Sequence, residues 1–160
     1  MLSYKQNFEQ AQKSWDAFWA HELLDRPCCS IIAPRNSKMP EICRLIDVND
    51  DFSKAFSKYD AYFENVEFLG DAMPSFRLNF GPDQFAAFLG APIKVSEDGW
   101  TSWSEKIVDN WESFMPLKID ENNIYWKRMI EYHKAAEKYF AGKCLLENID
   151  MHSNIDALEG

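Results

Sequence analysis

The sequence predicts an α/β fold with parallel pairing, and three observations carry that expectation. Apolar runs of strand length at 28–33, 72–80 and 143–149 are separated by stretches with helical periodicity. Each run ends in a polar cluster, and that end is where βα architectures bind their ligands. The 160 residues are 46% hydrophobic, enough to bury a substantial core in one domain spanning 1–160.

The first expected element is a helix over 4–24. Phe8, Ala11, Trp15, Phe18, Trp19 and Leu23 follow helical spacing, with Ser3 and Gln6 as a capping box. Asp25-Arg26-Pro27 ends it, because proline disfavours the helical conformation of the residue before it. The run CCSIIA at 28–33 then reads as a strand buried on both faces, as in a parallel sheet. It stops at the polar loop 34–38, which reads equally as a solvated turn or as a site where Arg35 offers a planar fork to a carboxylate. A short helix is expected over 40–46. A longer one follows from a cap at Asn49 or Asp50 to Glu64, with Phe52, Ala55, Phe56, Tyr59 and Phe63 on one face.

The stretch 68–93 organises the chain. Phe76, Leu78 and Phe80 alternate with Ser75, Arg77 and Asn79, the pattern of a strand. Gly81 supplies freedom at positive φ, Pro82 suits a first helical position, and a short helix over 84–89 closes at Gly90. Residues 94–108 read as extended, with a turn at Glu97-Asp98-Gly99 and with Trp100 and Trp103 as pocket walls or packing residues. Asp120 opens a helix over 121–140, with Ile124, Met129, Ile130, His133 and Tyr139 or Phe140 in phase. The strand 143–149 then runs into Asp150, His152, Asn154 and Asp156. Asp150-Met151-His152 has the composition of an acid–imidazole pair that binds a metal or moves a proton, while Ser153 or Asn154 would serve equally as a helix cap. Placement at strand ends makes Asp83, Asp150 and His152 the candidate catalytic residues. By the same rule Arg35, Arg77, Asn79 and Trp100 are candidates for substrate binding, and no residue is assigned to a metal.

The formal charge of −9, from 17 basic and 26 acidic residues, argues against nucleic acid and anionic membranes as partners. Cys28, Cys29, Cys43 and Cys144 have no metal-site spacing and read as reduced thiols. The chain opens on polar residues, and no apolar run reaches membrane-spanning length, so a cytoplasmic protein is expected. Phosphate loops, dinucleotide fingerprints and nucleophile elbows are absent from the sequence.

The order helix, Arg26-Pro27-Cys28-Cys29, Met39-Pro40-Glu41, then strand, turn and helix from Phe76 to a closing Leu89-Gly90, resembles the amino-terminal part of the uroporphyrinogen decarboxylase superfamily. Phe85-Ala86-Ala87-Phe88-Leu89-Gly90-Ala91-Pro92 is the best local match, and 144–156 is similar to the third barrel strand and its loop. The resemblance implies an N-terminal helix followed by the first three βα units of a (β/α)8 barrel, an architecture that usually takes ~250 residues. It implies a tetrapyrrole or a methyl-donor substrate. Decarboxylases of the family carry an Arg-Gln-Ala-Gly-Arg run where this chain has Pro34-Arg35-Asn36-Ser37-Lys38, and a catalytic Asp where it has Asn79. An Asn cannot supply the charge that a protonating pyrrole needs, so the isolated chain is expected to be inactive on porphyrinogens. The superfamily also includes zinc-using, corrinoid-dependent methyltransferases, which implies no cofactor within this chain and allows zinc or a corrinoid in a full-length parent. A non-catalytic binding module is the third expectation. Three parallel strands leave an open edge at 143–149, with Leu145, Ile149 and Leu158 short of packing partners. A homo-oligomer with 144–149 or 155–158 at the contact is therefore expected.

Overall fold

The computed structural model describes residues 1–42, 45–97 and 99–150. Among them the chain is mixed α/β, with three two-stranded sheets and no closed barrel. No helix among them is long and apolar enough to cross a membrane. Two compact units emerge. The first takes Met1–Ile42, Ser53–Phe76 and Ala136–Glu147, and the second takes Cys43–Phe52, Arg77–Ala135 and Asn148–Gly160.

In the first unit the opening residues are tied down. Ser3 donates from its amide (2.9 Å) and its hydroxyl (3.1 Å) to the Gly142 carbonyl. Lys5 is 2% exposed and donates to the carbonyls of Phe68 and Gly70, each at 2.7 Å. Helix α1 (Phe8–Trp19) is shorter than the expected 4–24 and turns Ala11, Ser14 and Ala17 inward. Phe18, Trp19 and Leu23, expected to face the core, are exposed. The helix ends because Glu22 N–H reaches the Ala17 carbonyl (2.8 Å) and His21 N–H reaches that of Phe18 (3.1 Å). Those are the paired bonds of a Schellman motif. His21 fills its left-handed position at φ 58°, where glycine is the usual residue.

Strand β1 (Ser30–Pro34) pairs antiparallel with β2 (Val66–Gly70), placing Ile31 opposite Leu69 and Ile32 opposite Phe68. Ile31 and Ile32 are exposed, so this is a ribbon and not the doubly buried parallel strand expected at 28–33. An apolar composition fits either arrangement; the partner strand decides. Helix α2 (Phe52–Asn65), from Ser53 onward part of this unit, leads directly into β2 and buries Ala55, Phe56, Tyr59, Tyr62 and Phe63. That face is close to the expected stripe.

Strands β3 (Ser75–Phe76) and β6 (Leu145–Leu146) pair in parallel, Ser75 opposite Leu145 and Phe76 opposite Leu146. The runs at 72–80 and 143–149 predict this pairing, although only two residues of each take part. Phe76 stacks on Phe140 at 4.6 Å and meets Tyr59 edge-on at 4.5 Å. Contacts of that geometry contribute about 0.5–1.5 kcal/mol each beyond area burial.

In the second unit the alternation continues past β3, with Leu78 and Phe80 buried and Arg77 exposed. The short α3 (Gln84–Phe88) follows. Strands β4 (Ile93–Val95) and β5 (Ser102–Ser104) form the hairpin expected over 94–108, and Gly99 in its turn has φ 70°. Asn110 caps α4 (Trp111–Phe114) by accepting from Glu112 N–H. Helix α5 (Ile124–Tyr139), in this unit up to Ala135, is capped by Asn123, whose Oδ1 accepts from the amides of Tyr125 (2.8 Å) and Trp126 (3.1 Å). Met129 and Tyr132 are its buried residues here, whereas Ile124 and Ile130, expected inside, are exposed. Residues 40–42 and 45–46 are not helical, contrary to the helix expected over 40–46; Cys43 and Arg44 lie outside the described residues.

Candidate functional site

Three of the strand-end residues singled out in the sequence, Asn79, Asp83 and Asp150, meet around one turn of the second unit. Asn79 Oδ1 accepts from Gly81 N–H at 2.8 Å, which bends the chain sharply after Phe80. Gly81 takes φ 115°, a region that side-chain-bearing residues avoid. Ser102 and Ser104, alternate residues of β5, are buried, while Trp103 between them is exposed. Strand pleating explains the split, since i and i+2 share a face. Ser102 Oγ donates to the Phe80 carbonyl at 3.0 Å. Asp83 Oδ2 accepts from the Ser104 amide (2.8 Å) and hydroxyl (3.4 Å), so this carboxylate anchors the hairpin.

Gln84 joins the turn to the segment after β6. Its side chain is fully buried, and Nε2 donates to the Asp150 carbonyl at 2.6 Å while Oε1 accepts from Phe80 N–H at 3.4 Å. Asn79, Asp83 and Asp150 are thereby brought together. Arg77 precedes the turn in the same unit and is exposed, and Trp100 is exposed near the tip of the β4–β5 hairpin. Arg35 belongs to the first unit, where its guanidinium pairs with Glu67 at 3.0 Å on the surface of the ribbon. His152 lies outside the described residues. Gln84, Ser102 and Ser104 carry no chemical signature in the sequence; the Ser-Trp-Ser alternation is the one hint of a polar face turned inward.

The first unit holds a second polar centre. Asp71 is fully buried and receives both terminal nitrogens of Arg26, at 2.6 and 2.9 Å, and the Cys29 amide at 2.8 Å. The Arg26 hydrogen bonds hold its carboxyl well below the usual carboxylate range, against the opposing effect of burial. Asp60 accepts from the hydroxyls of Tyr4 (3.0 Å) and Tyr139 (2.5 Å) and from Lys143 Nζ (3.0 Å). Burial and the Asp60 hydrogen bond both raise the Tyr4 phenol. Burial pushes the Cys144 thiol up to about 12. The carboxylates of Asp71 and Asp60 are each held by several donors, which stabilises their charge in place. Among the described residues no group of three or more His, Cys, Asp or Glu is arranged to hold a metal ion.

No protein family, curated protein or solved structure matches this chain.

Proposed function

We propose that the chain is the amino-terminal βα portion of a uroporphyrinogen decarboxylase-like barrel, and that its strand-end turn belongs to a site for a tetrapyrrole or corrinoid-linked substrate. The observation that carries this reading is the parallel pairing of β3 with β6, joined by a connection that contains α3 and α5. Strand, helix and parallel strand form the repeating unit of such barrels. Asn79, Asp83 and Asp150, which follow those two strands, meet around one turn, in keeping with ligand binding at strand carboxyl ends.

In this reading Arg77 meets a substrate carboxylate, Trp100 supplies an aromatic wall, and Asp150 with His152 handles the proton. Asp83 contributes by holding the hairpin beside the turn. Zinc or a corrinoid would belong to a full-length parent. Assembly through the β6 edge, where Leu145 and Leu146 are exposed, completes the proposal.

Titrating the purified chain with uroporphyrin and following tryptophan quenching tests it. The expected result is micromolar binding, weakened roughly tenfold by Arg77→Ala and by Asp150→Ala. Absence of binding, or binding that neither substitution moves, overturns it. Uroporphyrinogen incubated with the chain should remain undecarboxylated, because Asn79 carries no charge. Product formation would reassign the acid chemistry to Asp83 or Asp150.

A further inference from the structure

We propose that the turn following α1 is a docking site for a basic amphipathic helix of a partner protein. Phe18, Trp19, Leu23 and Leu24 are exposed, Trp19 by 73% and Leu23 by 70%. The Schellman turn at His21 folds the two leucines back towards the helix end, so that Phe18, Leu23 and Leu24 line one cleft of ≈ 210 Å³ with Pro27. Trp19 extends the patch through an edge contact with Phe18 at 5.2 Å. Small-molecule pockets run to roughly 300–1,000 Å³, so this cleft suits one or two side chains delivered by something larger.

Charge narrows the occupant. Glu22 lines the cleft, and nearby in sequence Asp16 of α1 and Asp25 are exposed. Arg26 also lines it, but its guanidinium is committed to buried Asp71 and to the Pro27 carbonyl. Lys13, the lysine of α1, lines a separate hollow with Met1 and Phe8. The patch is therefore apolar, with Glu22 as the lining charge left uncompensated by Arg26, on a chain of net charge −9. A second copy would set the same Glu22 carboxylates beside each other in a two-fold contact. An amphipathic helix with apolar anchors at i, i+3, i+4 and i+7 and lysines or arginines beside them satisfies both features.

The probe is a fluorescently labelled leucine–lysine amphipathic peptide of about 14 residues, roughly four turns, read by anisotropy. Expected is micromolar binding, with a scrambled peptide of the same composition binding roughly tenfold more weakly. Trp19→Ala and Leu23→Ser should each weaken binding by a similar factor. Both variants keep the fold, because their side chains are largely in solvent. Trp103→Ala, at an exposed tryptophan of the other unit, should change nothing. Equal affinity for the scrambled peptide, or binding unmoved by Leu23→Ser, would mean charge attraction without docking and overturns the proposal. Absence of binding up to about 100 µM overturns it as well. So does self-association in sedimentation that Leu23→Ser abolishes, which would assign the face to a second copy.

Discussion

Gly81 lies so close to Ser102 that a β-carbon built on it would stand 1.5 Å from the serine Oγ. The residue also sits at φ 115°, so substitution meets both a steric and a conformational penalty. Gly81→Ala should cost about 3 kcal/mol, the sum of backbone strain and overpacking, measured as a lower urea midpoint. Adding Ser102→Gly removes the steric part, and the double variant should be less destabilised than the two losses added. Strict additivity would show that the two residues do not press on each other.

The Arg26–Asp71 pair makes stability depend on pH. Asp71 has a folded pKa depressed below the unfolded value of about 3.9, first by the Arg26 hydrogen bonds. Its contribution is thus complete above that value and is lost as pH falls through the lower folded pKa. Asp71→Asn should cost about 2 kcal/mol at neutral pH. The difference from the parent chain should shrink as the buffer is taken below about pH 4. A difference that stays constant with pH would assign the loss to packing.

His21→Gly is expected to stabilise the chain by about 1 kcal/mol, because glycine takes the left-handed position without steric cost. His21→Ala should bring no such gain. Thermal unfolding of the two variants side by side separates relief of strain from mere loss of the imidazole.

Alkylation should sort the described cysteines by environment. Cys29 is exposed, and Cys144 is a buried thiol pushed up to about 12. Near pH 8 the folded chain should take iodoacetamide at Cys29 first, with Cys144 far slower because it is buried and its thiolate is disfavoured. In urea the two rates should converge. Peptide mass mapping reads both, and early labelling of Cys144 would mean that β6 opens readily.

Side-chain alternation was the most legible signal. Phe76, Leu78 and Phe80 are buried in turn, and α2 shows the expected face, because both patterns depend on local periodicity. The ribbon was not legible. Whether 28–33 becomes a parallel core strand or an antiparallel edge depends on Val66–Gly70, far along the chain. Polar anchors were hidden for the same reason. Asp71 reads as a surface acid until Arg26, 45 positions earlier, is beside it, and Gln84 as a solvent-facing residue until Asp150, 66 positions later, receives its amide. The strand-end rule, which needs only the order of elements, groups Asn79, Asp83 and Asp150 as the structure does, but it also groups Arg35 with them, which belongs to the first unit. The two serines that complete the turn needed coordinates.

The opening residues impose an order on synthesis. Ser3 is bonded to Gly142, Tyr4 shares Asp60 with Tyr139 and Lys143, and Phe76 rests on Phe140. On the ribosome the amino-terminal segments of this unit emerge first, yet they must wait while the roughly 60 residues of Arg77–Ala135 are made. At about 5–20 residues per second that pause lasts on the order of 3–12 s. During it, Phe56, Tyr59, Phe63 and Phe76 have no Phe140 to close over them. The nascent chain therefore carries an open aromatic surface for seconds in every round of translation, long enough for a chaperone to bind before the last strand arrives.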